Sequence, residues 1–81
     1  MLDVTILSTE QLLFKGQAEH VAFPGELGVF EIWSFHRPLV SRLVPGLVVV
    51  DDRPLAIRGG VVSVGHNVVT ALVNPDPHPP S

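Results

Sequence analysis

Apolar and polar residues alternate in the first segment of the chain. Leu2, Val4 and Ile6 are apolar, whereas the residues between them are polar. This two-residue period predicts a β-strand with one buried and one exposed face. Further segments rich in β-branched residues follow, with turn residues about every eight to twelve positions, as in β-sandwiches and barrels. The pattern predicts strands at 2–6, 12–14, 18–23, 29–33, 39–43, 47–50, 55–58, 61–64 and 68–73.

Proline, glycine and asparagine mark the predicted turns. Pro24-Gly25-Glu26 and Pro45-Gly46 are typical turn sequences, because proline fixes φ and glycine accepts positive φ. Gly65-His66-Asn67 predicts a hairpin turn. Gly59-Gly60 predicts a bulge or a close approach between backbones. Neither helical periodicity nor an internal repeat is present, so the sequence predicts an all-β protein.

The end of the chain differs in composition from the rest. Four of its last eight residues are proline, which fixes φ and donates no backbone hydrogen bond. We therefore expect a single domain over residues 1–73 and a flexible, proline-rich tail over residues 74–81.

Several predicted strands are apolar on both faces, Leu47-Val48-Val49-Val50 most clearly. A strand with one solvated face has a polar residue at every second position. Either the core is thick and a few aliphatic residues are exposed, or a partner protein covers one face. The apolar stretch over 43–50 is interrupted by Pro45 and Gly46, and a spanning helix needs about 20 apolar residues. We predict no transmembrane segment.

Charge and residue types argue against several classes of function. The net charge is −3, and the five basic residues are scattered, which argues against binding nucleic acid. There is no cysteine, and the four histidines lie in different predicted segments, so we predict no metal site. Asp51-Asp52 is interpreted as a solvated turn. Gly59-Gly60 lacks the lysine of a phosphate-binding loop, and no serine has a nucleophile-elbow context. We predict neither enzymatic activity nor a cofactor.

An ordered set of residues gives the chain a family resemblance. It comprises Leu13, Phe14, Gly16, Val21, Pro24, Gly25, Glu26, Gly28, Phe30, His36, Pro38, Leu39, Val40, Leu43, Pro45, Gly46, Gly59, Gly60, Val61, Val62, Val64, Asn67, Val69 and Leu72. With this spacing, residues 1–73 resemble the N-terminal β-domain of the epsilon subunit of F-type ATP synthases. The resemblance implies a small β-sandwich of about ten short strands in two sheets.

The resemblance also implies a role in the central stalk, or rotor, of a proton-translocating ATP synthase. There the domain packs on the gamma subunit and sits on the membrane ring of c subunits, at the cytoplasmic face of the plasma membrane. The family's inhibitory helical hairpin is not expected here, because only the proline-rich tail follows Val73. The alternative is a free-standing β-sandwich that binds a ligand or a regulatory partner.

The resemblance places the contact with the c-ring on two segments, 26–29 and 31–38. The chain departs from the family in both segments: Val29 replaces a common acidic residue, and Ser34-Phe35 replaces a Pro-Gly pair. The residues predicted to interact with partner proteins are Glu26, Val29, Glu31, His36 and Arg37.

Overall fold

The computed structural model describes residues 1–77 and shows eight β-strands in this range. They are β1 (Leu2–Leu7), β2 (Leu12–Ala18), β3 (His20–Gly25), β4 (Gly28–Trp33), β5 (Leu39–Leu43), β6 (Gly46–Val50), β7 (Arg53–Val64) and β8 (Val68–Pro75). The prediction of an all-β protein is confirmed. In this part of the chain no helix occurs that is long and apolar enough to span a membrane.

The strands form two layers. The first layer has the order β2-β1-β8-β7-β5, and the second has β4-β3-β6-β7. β1 and β8 pair in parallel, and the other pairs are antiparallel. The long strand β7 belongs to both layers, because residues 53–57 pair with β6 and residues 60–64 pair with β5. The hydrogen bonding is therefore continuous between the layers, and the two sheets of the predicted sandwich share β7.

The passage of β7 between layers depends on Gly59-Gly60. The register of β7 against β8 shifts between Ile57 and Gly59, which is the predicted bulge. At Gly60 a side chain would collide with the backbone of Leu72 and Val73. Glycine thus permits the close approach of β7 to β8. The predicted strands 55–58 and 61–64 are therefore one strand, so the nine strands that the pattern predicted are eight in the structure, against the about ten implied by the resemblance.

The core lies between the layers and consists of alternate residues from each strand. Leu2, Val4 and Ile6 of β1 are fully buried, as their spacing predicted. Phe23 is the largest fully buried side chain. Within residues 1–77 no polar or charged side chain is buried, so hydrophobic burial is the main stabilising contribution.

The last strand extends beyond the predicted domain end at Val73. β8 continues to Pro75, and the Asp76 N–H donates a hydrogen bond to the Ala56 carbonyl over 3.0 Å. Residues 78–81, including His78, lie outside the described residues. The domain boundary at Val73 and the flexible tail stay predictions.

Candidate interaction surface

The predicted interaction residues lie along β4 and at its two ends. One end of the sandwich carries the β3–β4 turn, and the other carries the loop after β4 and the β7–β8 turn. β4 has six residues, and at about 3.3 Å per residue it separates these ends by about 16 Å. The structure therefore divides four of the five predicted residues into two patches.

The turn patch consists of Glu26, Leu27 and Val29. Gly25 pairs with Gly28 and closes a tight turn that places Glu26 and Leu27 at its tip. Leu27 is fully exposed, and Val29 is 73% exposed. A groove of about 560 Å³ runs beside the turn. The Arg42 Nε lies 3.9 Å from a Glu26 carboxylate oxygen, but both side chains are exposed, so this pair contributes little to stability.

The loop patch consists of Phe35, His36, Arg37 and His66. The His36 N–H donates to the Trp33 carbonyl over 3.2 Å and closes the turn after β4. The His36 Nδ1 lies 2.7 Å from the Arg37 carbonyl oxygen. Because a carbonyl oxygen only accepts hydrogen bonds, Nδ1 carries the proton and donates it in this contact. Phe35 is 89% exposed.

The Phe35 loop is fastened to the β7–β8 turn. The Phe35 N–H donates to the Asn67 side-chain oxygen over 2.7 Å, across 32 positions of sequence. The Asn67 carbonyl in turn accepts from the Asp3 N–H over 2.8 Å. Phe35, His36 and Arg37 therefore lie beside His66, around a cavity of about 360 Å³. The sequence did not predict this contact.

Glu31 belongs to neither patch. It lies in the middle of β4 opposite Ala22, and its carboxylate accepts a hydrogen bond from the Trp33 indole N–H over 3.2 Å. The Trp33 ring stacks on the His20 imidazole with centroids 4.6 Å apart. The structure thus brings Glu26 together with Val29, and His36 with Arg37, but holds Glu31 between the two pairs.

Strand β6, which the sequence showed to be apolar on both faces, has one face in the core and the other on the outside of the second layer. In β6 the side chains of Val48 and Val50 are buried, whereas Leu47 is exposed and Val49 is half-buried. Val49 pairs with Ala22 of β3, so apolar side chains of neighbouring strands lie side by side on this face.

A similar apolar row crosses the outer face of the first layer. Leu12, Leu7, Leu72 and Val61 occupy consecutive register positions across β2, β1, β8 and β7. Leu7 is half-buried and the other three are exposed.

Asp51 was interpreted as a solvated turn residue, but in the structure its carboxylate binds the backbone at the start of β3. It is a non-glycine residue with positive φ, 54°. Its carboxylate accepts hydrogen bonds from the Glu19 and His20 N–H groups over 3.0 and 3.3 Å. The His20 Nε2 lies 4.0 Å from the same oxygen. Asp51 therefore links the start of β3 to the β6–β7 turn.

The described residues offer no metal-binding cluster. Within residues 1–77, no three histidine, aspartate or glutamate side chains lie close enough together to hold a metal ion. The two patches instead expose large apolar side chains bordered by polar neighbours, an arrangement that also occurs where proteins contact one another.

Leu27 and Phe35 lie within the predicted contact segments 26–29 and 31–38, but the sequence did not single them out as interaction residues. It also did not identify Asn67 as the residue that positions Phe35. A large apolar residue at a turn or loop position was the available signal for the first two, since turns usually carry polar residues and glycine. Asn67 was recognised only as a turn residue. Its hydrogen bond to Phe35 depends on the packing of the two layers.

Comparison with known proteins identifies related sequences. Residues 1–75 match the family described as "ATP synthase, Delta/Epsilon chain, beta-sandwich domain". The ATP synthase epsilon chain of Xanthomonas campestris pv. campestris is 45% identical over 74 residues, which are 85% of this chain and 53% of the relative. The epsilon chain of Janthinobacterium sp. is 38% identical over 77 residues, 88% of this chain and 55% of the relative. The chain thus spans about half the length of these relatives.

Solved structures share the fold. A chain of the Tetrahymena thermophila mitochondrial ATP synthase, in a structure described as central stalk and c-ring, superposes with a TM-score of 0.78 at 16% identity. The match covers 90% of this chain and 63% of that one. A chain of the Euglena gracilis mitochondrial ATP synthase gives 0.81 at 19% identity, covering 89% and 49%.

Proposed function

This chain belongs to the β-sandwich domain family of ATP synthase delta and epsilon chains, and we propose that it serves in the rotor of an F-type ATP synthase. In this proposal the domain links the gamma subunit to the c-ring during proton-driven ATP synthesis. It is peripheral to the membrane, on the cytoplasmic face. The family is that of a non-catalytic chain of the synthase, in agreement with the prediction that this chain is not an enzyme.

The separation of two exposed patches by the length of β4 supports this role most directly. A domain that transmits torque between two subunits needs two contact surfaces on a rigid body. The turn patch and the loop patch lie at opposite ends of β4, which is held by its antiparallel pairing with β3. A single small ligand cannot bridge both.

We assign the c-ring contact to the turn patch. Leu27 and Val29 present apolar surface at one end of the sandwich, and Glu26 adds a carboxylate. Glu31 lies further along the same strand. The loop patch, with His36 and Arg37, is then left for a second rotor subunit. Inhibition of ATP hydrolysis is not part of this proposal.

The test uses synthase prepared without its epsilon chain from the organism that carries this sequence. Adding the 81-residue chain should restore proton-driven ATP synthesis without inhibiting ATP hydrolysis. Failure to bind the depleted synthase would leave the free-standing binding module as the better interpretation. Strong inhibition of hydrolysis would show that the sandwich itself carries a brake.

A double substitution tests the assignment of the turn patch. Leu27→Ser with Val29→Ser should weaken binding to isolated c-ring at least tenfold, because apolar surface buried at the contact is lost. The thermal midpoint should hardly change, since exposed side chains usually contribute less than about 0.5 kcal/mol. Leu12→Ser, on the edge strand of the other layer, is the matched control. Equal binding by the double variant and the control would contradict the assignment.

A further inference from the structure

Phe35 occupies a backbone conformation that bulky residues rarely adopt. Its φ is +66°, in the left-handed region where glycine and asparagine are the usual residues. The ring is 89% exposed, so packing within the domain does not compensate for the backbone strain. Glycine would occupy this position without strain. The folded domain by itself therefore gives no reason for a phenylalanine here.

The loop holds this conformation through Asn67. The Asn67 side-chain oxygen accepts the Phe35 N–H over 2.7 Å, and Asn67 is itself at φ +51°. The backbone of Asn67 is anchored to β1 by the hydrogen bond from Asp3. The ring thus projects from a fastened loop, and little conformational entropy is lost when it is buried by a partner.

One permanent positive charge lies beside the ring. Arg37 is exposed there and makes no ion pair with the described part of the chain. The residues that line the adjoining cavity include no carboxylate. Four acidic residues lie at this end. The Asp3 carboxylate accepts a hydrogen bond from the Gln17 side chain over 3.2 Å, and Glu19, Asp51 and Asp52 lie just before β3 and on the β6–β7 turn.

We propose that the loop patch binds a protein surface in which a hydrophobic pocket, bordered by carboxylates, receives the Phe35 ring. Arg37 pairs with one of these carboxylates, and Asn67 is the positioning residue that sets the direction of the ring. This inference rests on the proposed function only for the identity of the partner, a second rotor subunit. Aromatic residues and arginine are the side chains that most often dominate binding energy at protein interfaces.

A protein partner fits this patch better than an anionic membrane. Membrane attraction requires several lysines or arginines, each contributing about 1 kcal/mol. The patch has one arginine, and the net charge of the chain is −3. A single fixed aromatic ring with one cation is instead suited to a pocket of defined shape.

The decisive variant is Phe35→Gly, because it acts in opposite directions on folding and on binding. It removes the ring and relieves the positive-φ strain, so the urea midpoint of unfolding should stay the same or rise. Binding to the epsilon-depleted synthase, measured by calorimetry, should weaken at least tenfold. Lys15→Gln, at an exposed position of β2 outside both patches and both apolar rows, serves as the control and should bind like the wild type.

Two further variants separate the roles of the other residues. Asn67→Gly accepts positive φ but removes the acceptor for the Phe35 N–H, so binding should weaken several-fold while the ring is still present. Arg37→Gln should weaken binding at low salt and reduce its dependence on salt concentration, since screening acts on the lost charge pair.

The outcomes distinguish this inference from the proposed function. If the wild type does not bind the depleted synthase, the proposed function fails. If the wild type binds and Phe35→Gly binds equally well, the rotor role stands and the inference about the loop patch is wrong. If Phe35 is needed instead for binding vesicles that contain anionic phospholipid, the partner is a membrane and the inference is likewise overturned.

Discussion

Substitution of Gly60 by alanine tests how the long strand β7 joins the two layers. Gly60 pairs with Val73 of β8 on one side and with Leu43 of β5 on the other. A Cβ atom at this position would lie 2.8 Å from the Val73 Cα and against the Leu72 carbonyl oxygen. The φ of Gly60 is +156°, a backbone conformation that L residues with a side chain rarely adopt. Alanine therefore meets both a backbone collision and conformational strain.

The expected loss of stability follows from these two terms. Non-bonded carbon atoms pack at about 3.5–4.0 Å, so β7 and β8 must separate by about 1 Å at this point. The separation weakens neighbouring ladder hydrogen bonds, each worth about 1 kcal/mol net, and the strained φ costs about 1–3 kcal/mol. We expect a loss of about 3–5 kcal/mol. A domain of this length has only about 4–12 kcal/mol in total.

Gly65 provides the matched control. It lies in the β7–β8 turn, no atom is within 4 Å of the position of an added Cβ, and its φ is outside the restricted range. Gly65→Ala should leave stability unchanged or raise it by about 0.4–1 kcal/mol, because alanine restricts the unfolded chain.

Thermal unfolding followed by circular dichroism measures both variants. For a domain of this size, 1 kcal/mol corresponds to about 4–8 °C in midpoint. Gly60→Ala should therefore unfold at least about 12 °C below the wild type, and Gly65→Ala within a few degrees of it. Equal midpoints for the two alanine variants would refute the close approach of β7 to β8.

Two further predictions concern single side chains of the fold. Val62→Thr, at a fully buried position, should lower stability by about 1–3 kcal/mol because the hydroxyl loses its hydrogen bonds to water. Val61→Thr, at a 42% exposed position, should change stability by less than about 0.5 kcal/mol. Similar urea midpoints for the two variants would contradict the assignment of the buried and exposed faces of β7. Asp51→Ala removes the acceptor of two backbone N–H groups and should lower stability by about 1–3 kcal/mol. Asp51→Asn keeps an acceptor oxygen and tolerates positive φ, so it should lower stability clearly less. The reverse order would exclude the carboxylate as the link between β3 and the β6–β7 turn.

The order of strands along the chain was determined locally, and the sequence was sufficient to predict it. The alternation of Leu2, Val4 and Ile6 identified the buried face of β1 because side chains in a strand alternate between faces. Turn residues such as Pro45 and Gly46 marked strand ends for the same local reason. The family resemblance also came from the sequence, and residues 1–75 match that family.

The pairing of strands was decided by tertiary structure. The first and last strands, β1 and β8, pair in parallel, and no local signal specifies such a contact. Gly59-Gly60 was recognised as a bulge or close approach, but not as the point where one strand crosses between layers. Whether a glycine ends a strand or lets it continue depends on the backbone that it approaches.

The candidate surfaces show the same division. Residues close in sequence, such as Glu26 with Val29 and His36 with Arg37, remained together, because a turn or short loop keeps near neighbours near in space. Glu31 was separated from both pairs, because β4 is extended and moves each residue about 3.3 Å along the strand. The direction of the Phe35 ring depends on Asn67, which lies 32 positions away and approaches only when the two layers pack.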